Sequence, residues 1–385
     1  MKKLTIKILG AVFIIALSLS SLAGCSKSEK KEFNFDKITV SASDKSRIEV
    51  ETDDTLREKE FVGSATITIN EDDIYSKSFG YADAVKSKKF NDESLFSVGH
   101  LTQNITGAAV LMLDKSGKLS LDDTLDKYFD SKYGDLTSVT VEDLLSNRVN
   151  FGNYIYEIST TPAENKPLEK YVNSENPDKY SVKVNRLVLT HILKHGFSKR
   201  GNSAQSNYFL LGKIITKASG TSYRDYIKKS IFDKLGMKNS MFVSGKNKLA
   251  GYDMNNKVWR RFTENPALLN FGYAYSAFGM VSCSKDMSKF YKALVNGTLG
   301  GINYLKEIKL APSNTYCGFT QDGNNITASA RVLVHCDYVH INIQTKEVVL
   351  MMSNRVGKTD IKNTGDELYK ILSSKINGII LANIK

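Results

Sequence analysis

Apolar and polar positions alternate along Val62 to Gly80 (VGSATITINEDDIYSKSFG), on both sides of the polar run Glu71-Asp72-Asp73. A period of two sends successive side chains to opposite faces, so this segment reads as a hairpin with a polar turn and one buried face. From Leu101 the period changes. Leu101, Ile105, Ala108, Ala109, Met112 and Leu113 recur at helical spacing and stop at Ser116-Gly117, which predicts a buried helix closed by a glycine. In LTSVTVEDLL, Thr140 is a natural N-cap, because its hydroxyl can accept from the backbone N–H near Asp143. Ser206 to Ser219 reads as a helix closed by Gly220, and Tyr223 to Leu235 as another closed by Gly236. Further on, ASARVLVHCDYVHINI and EVVLMMSN are β-branched and alternating, as paired strands are, with Gln344 to Lys346 as their turn. Asp366 to Ile376 is an amphipathic helix through Leu368, Ile371, Leu372 and the stem of Lys375.

Strands at both ends of the chain with helices between them imply a mixed, mainly antiparallel sheet flanked by helices, plus a helical subdomain. The fold class is α/β, of the α+β kind, with a cleft between the two parts. No second linker or internal repeat interrupts residues 48–376, which read as one domain, with 377–385 as a C-terminal tail.

The beginning of the chain has a different character. Lys2, Lys3 and Lys7 precede the apolar run Ile8 to Leu19, and Leu22-Ala23-Gly24-Cys25 follows. This resembles a bacterial lipobox, so residues 1–25 are expected to be a lipoprotein signal peptide with Cys25 lipidated. The mature protein is then expected to be tethered to the cell membrane by lipid, on its extracytoplasmic face. Residues 26–47 are rich in Lys, Ser and Glu and read as a flexible linker.

Charge narrows the partners. With 53 Lys and Arg against 41 Asp and Glu, the net charge is +12, which favours anionic head groups and anionic wall polymers. The lysines are scattered rather than clustered with aromatics, so no nucleic acid partner is expected. Besides Cys25 there are Cys283, Cys317 and Cys336, an odd number that allows at most one internal disulfide and fits buried thiols better.

Phe96 and Gly99, the near match Val98, and Gly117 to Asp123 (GKLSLDD) resemble the serine beta-lactamase-like family: class C beta-lactamases, D,D-peptidases and related esterases. The likeness continues in family order through VEDLLS, SNYFLLGKIITKASGTSYRDYI, LGMKNSMF, AGY, AFGMVSCSKDMSKF and VVLMMSNR. It implies the serine beta-lactamase and penicillin-binding-protein-like fold.

The catalytic positions differ from that pattern. The family pairs a serine with a lysine one helical turn later, because a neutral hydroxyl is a weak nucleophile without a base. Those positions hold His100 and Gln103 here. The Y-x-N motif reads Gln205-Ser206-Asn207, and a carboxamide cannot relay a proton as a phenol does. The H-x-G or K-T-G motif, counted back from the strand turn, falls at Ala328-Ser329-Ala330. LLSNRVN at Leu144 to Asn150 replaces the family's L-L-x-H-T-S-G.

The expected function is therefore that of a pseudoenzyme, a non-catalytic binding or regulatory protein at the cell wall. A peptidoglycan-derived peptide or a protein partner would bind a cleft lined by His100, Asn207, Trp259 and Arg331. The competing reading is an active peptidase or esterase of the same family, acting on cell-wall or beta-lactam-like substrates through a non-standard nucleophile, for which His100, Ser97, Ser206 and Cys336 are the nearby candidates. Ser97 is expected to cap the helix instead. His335 and His340, five apart on a strand, face opposite sides, so no metal and no cofactor is expected.

Overall fold

The computed structural model describes residues 38–384, apart from 131–135, 155–176, 199–203, 243–248, 250, 256–257, 262–274, 333 and 357–359. Residues 1–25, with Cys25, lie outside the described residues.

The strands are β1 (Gly63–Ile69), β2 (Asp72–Phe79), β3 (Tyr81–Asp83), β4 (Lys88–Lys89), β5 (Phe96–Ser97), β6 (Met241–Phe242), β7 (Tyr252–Asn255) and β8 (Val258–Arg261). They continue with β9 (Met280–Ser282), β10 (Thr315–Tyr316), β11 (Phe319–Asp322), β12 (Asn325–Val332), β13 (His335–Asn342), β14 (Glu347–Ser353) and β15 (Arg355–Val356). The helices are α1 (Ala42–Glu58), α2 (Thr102–Lys115), α3 (Val141–Leu145), α4 (Pro177–His195), α5 (Ala204–Ser219) and α6 (Tyr223–Ile227). After them come α7 (Tyr275–Phe278), α8 (Ser284–Asn296), α9 (Tyr304–Lys309) and α10 (Ile361–Ile384).

The main sheet has the order β10-β11-β12-β13-β14-β1-β2 and is antiparallel throughout. Both ends of the chain meet in it, because β1 pairs with β14 through Ser64 opposite Met352. Helices α1 and α10 pack on each other and on the sheet, α1 against β2 and α10 against β13 and β14, while α2, α5 and α7 form the helical layer. The hairpin lies where the alternation put it, but β1 is buried along its whole length rather than on one face. As an inner strand between two helical layers it has no solvent side.

Local signals read in the sequence are physically realised. Thr140 Oγ1 accepts from Asp143 N at 3.2 Å and the Asp143 carboxylate accepts from Thr140 N at 2.9 Å, a capping box. Helix α2 ends at Ser116, followed by Gly117 at φ +69°. Helix α6 continues through a π-turn at Lys228–Phe232 before stopping at Gly236, φ +62°.

Two boundaries differ. Helix α1 begins at Ala42, inside the stretch read as linker, because Ser41 Oγ accepts from Asp44 N at 3.1 Å and Ile48, Thr52 and Leu56 recur at helical spacing on a buried face. A mean composition hides such a cap. Helix α10 runs to Ile384, through the segment read as a tail. Gly378 costs a helix only about 1 kcal/mol and does not end it. Leu368, Leu372 and Ile376 of α10 are fully buried. No described helix is long and apolar enough to cross a membrane.

Candidate active site

Gly99 sets the turn that opens α2. Its φ is +47°, and a Cβ there would stand 2.6 Å from Val332 Cγ2 and 3.0 Å from Ala330 Cβ. Only glycine satisfies both the left-handed backbone and the close approach, which seats the 3-10 turn Gly99–Leu101 against β12.

His100 occupies the middle of that turn. Its ring meets Phe278 of α7 edge-on, with centroids 5.8 Å apart, and its Nε2 lies 3.0 Å from Gln205 Nε2 on α5. Burial holds the imidazole below its usual pKa, because a charged ring would lose hydration it does not regain. A neutral ring accepting the Gln205 amide N–H fits this geometry. In that arrangement Nε2 accepts and the ring proton sits on Nδ1.

Gln103, one turn further along α2, is 4% exposed, and its Nε2 has no hydrogen-bond partner among the described residues. Gly318 approaches it so closely that a Cβ on that glycine would lie 2.7 Å from Gln103 Cβ. An amide here is neutral and cannot take a proton from a nucleophile.

Asn207 is fully buried, and its Nδ2 donates to Asn147 Oδ1 at 3.0 Å and to the Val149 carbonyl at 2.8 Å. It ties α5 to the loop after α3. Its donor serves the fold, while its Oδ1 has no hydrogen-bond partner among the described residues. Ser206 does similar work beside it, donating to the Gly152 carbonyl at 2.6 Å.

Strand β12 supplies the other wall. Its alternation buries Ala328, Ala330 and Val332 on the face toward the turn, while Ser329 and Arg331 are exposed. The residues that meet Gly99 are Ala330 and Val332, two places along from the Ala328-Ser329-Ala330 placement. Either placement leaves only methyl-bearing side chains where the family's imidazole or ammonium would point. Arg331 is corrected as a cleft residue, because period two puts it on the face that carries His340 and α10. Trp259 lies on β8 opposite Met254; its side chain is outside the described residues.

The alternative nucleophiles fare no better. Ser97 sits on β5, 2% exposed, and its Oγ has no partner among the described residues; it caps no helix, contrary to expectation. Its backbone N–H donates to His335 Nδ1 at 3.4 Å. The Cys336 thiol is pushed up to about 11 by burial and by Asp337 beside it, so it is protonated at neutral pH and poorly nucleophilic. Cys283 and Cys317 are buried free thiols. The two histidines do separate as the strand period demands: His335 packs on Phe96, and His340 stacks on Tyr369 of α10.

The family description Beta-lactamase matches residues 52–325. The chain belongs to the beta-lactamase family. Putative penicillin-binding protein PbpX of Bacillus subtilis (strain 168) is 24% identical over 333 residues, covering 83% of this chain and 77% of that protein. Penicillin-binding protein 4* of the same organism is 28% identical over 191 residues, 48% of this chain and 39% of its own length. Among solved structures, FmtA from Staphylococcus aureus is similar with a TM-score of 0.69 at 19% identity, covering 86% of this chain and 90% of that one.

Within the beta-lactamase family frame, the structure joins His100, Gln103, Gln205 and Ala330 around one turn and sends Asn207 and Arg331 elsewhere. Phe278 and Val332 were not singled out from the sequence. Phe278 stands inside AFGM, a phrase that reads as packing until the helix it touches is known.

Proposed function

We propose that this beta-lactamase family member is a non-catalytic, lipid-anchored protein of the extracytoplasmic membrane face whose cleft binds a peptidoglycan-derived peptide without cleaving it. One observation carries the reading: His100 and Gln103 stand where the serine and lysine would be, and His100 is tied to Gln205 at 3.0 Å where the tyrosine would be. Three groups that would attack, deprotonate and relay are replaced by two carboxamides and a neutral ring.

The edge of β12 favours a peptide. Strand β11 pairs only with Asn325–Thr327, so among the described residues the outer edge from Ala328 onward has no strand beside it. An extended peptide can add there through main-chain hydrogen bonds, with the side chain of Ser329 or Arg331 on the far face. The anchor rests on Leu22-Ala23-Gly24-Cys25. Mass spectrometry of the membrane-extracted protein should find the chain beginning at a lipid-modified Cys25; an unmodified Cys25 contradicts the anchor.

Calorimetry of the soluble chain with a stem pentapeptide ending in D-Ala-D-Ala tests the binding, with the peptide weighed by mass spectrometry afterwards. Saturable heat with the peptide intact is expected. A peptide shortened by one D-Ala contradicts the non-catalytic reading, and absence of heat moves the assignment to a protein partner.

A further inference from the structure

At the far end of the main sheet from the His100 turn lies a groove of about 640 Å³ between the end of α8, helix α9 and the β13–β14 turn. From Asn325, beside this groove, to Ala330 is five residues, roughly 17 Å at about 3.3 Å per strand residue. The groove is therefore a separate site from the cleft.

Its lining is one-sided in charge. Lys306, Lys309 and Lys346 line it, and among the described residues no Asp or Glu does. Lys306 and Lys309 are exposed and have no ion-pair partner among the described residues, whereas nearby Lys292 is paired with Asp73 at 3.1 Å. The carboxamides are arranged to donate as well. Asn303 uses its oxygen to accept from Lys306 N at 3.1 Å, and Gln344 uses its oxygen to accept from Asn324 Nδ2 at 2.9 Å. Their NH2 groups remain donors.

We propose that this groove binds phosphate-bearing ligands. Clustered ammonium and amide donors without a competing carboxylate match the acceptor-only oxygens of a phosphate diester. The groove is larger than a single phosphate needs, so the organic part of a phosphodiester can rest on its apolar floor. A wall polymer and a phospholipid head group share this chemistry. The proposal does not depend on the non-catalytic reading of the cleft.

Titration of the soluble chain with inorganic pyrophosphate at low ionic strength tests it. Lys306→Gln with Lys309→Gln should weaken binding roughly fivefold to tenfold, the order expected for two exposed charge contacts. Lys88→Gln with Lys89→Gln, exposed on β4, removes the same net charge elsewhere and should leave binding within about twofold. Sedimentation with phosphatidylcholine vesicles, with and without phosphatidylglycerol, separates the sources. Lysine-dependent capture by the anionic vesicles indicates a head group; lysine-dependent pyrophosphate binding without such capture indicates a soluble phosphodiester. No pyrophosphate binding, or equal loss in both double variants, overturns the proposal.

Discussion

Helix α2 and the 3-10 turn that opens it adjoin in the chain and follow different rules. From Ile105 to Leu113 the helix is held by packing: Ile105, Ala109 and Leu113 are fully buried, and Gly107 lets Cys317 approach to where a Cβ would meet its Cα at 2.8 Å. Around His100 the turn that leads into it is held by packing too, against Phe278 and β12, and His100 and Gln103 stand where the family pairs serine with lysine. Gly99 is the telling residue. Its left-handed backbone and its close approach to Val332 both require glycine.

The largest effect should come from breaking the packed end. Gly107→Val forces a branched side chain into the Cys317 backbone and should cost about 2–4 kcal/mol, as overpacking plus strain does. Urea unfolding measures it; a loss below about 0.5 kcal/mol, the usual size of a neutral surface change, would show that the helix can shift and that packing does not fix it.

A smaller effect with a characteristic pH signature is expected at β13. Asp337 is fully buried, neither carboxyl oxygen has a partner among the described residues, and burial pushes its pKa well above the ordinary value. The folded chain keeps a proton that the unfolded chain releases near 3.8, so this group's contribution falls as pH rises. Asp337→Asn removes that fall. It should be more stable than the native chain at pH 7 by about 1–3 kcal/mol, with the gap closing toward pH 4. His335, pushed down to about 4 by burial, has the opposite sign. Unfolded histidine gains a proton near 6.5, so stability is lost as pH falls from about 6.5 to 4, by about 3 kcal/mol at most. Between those limits the two neighbours offset each other in the native chain, and His335→Gln should reveal a rise in stability on acidification. A flat profile in both variants would contradict this pairing.

The smallest effect belongs to the His100 turn. His100→Ala loses one hydrogen bond to Gln205 and an edge contact with Phe278, worth about 1–2 kcal/mol together. It should leave the peptide heat of the cleft within about threefold. Loss of more than about 4 kcal/mol would make His100 a keystone of the fold.

Most of the fold was legible because period and caps are local. Thr140 with Asp143, Gly117 after α2 and the β13–β14 turn are each decided within a few residues, and family wording fixed their order. The misplaced ends have local causes as well: the Ser41 cap opens a helix within a lysine-rich stretch, and Gly378 fails to stop one. The site was legible where identity alone decides, at His100, Gln103 and Gln205. It was not where orientation decides. Asn207 keeps the family letter but turns its donor into the Asn147–Val149 loop, and Arg331 falls on the wrong face of β12. Asp337 left no sequence signal, since an isolated aspartate in a strand reads as solvated until both of its faces are covered.

The central claim is that no residue at this turn forms a covalent bond with substrate. Intact-protein mass spectrometry after incubation with a fluorescent penicillin, and separately with a fluorophosphonate, tests it most directly. The native mass should be unchanged by either reagent. A stoichiometric adduct that disappears on changing His100, Ser97, Ser206 or Cys336 would contradict it.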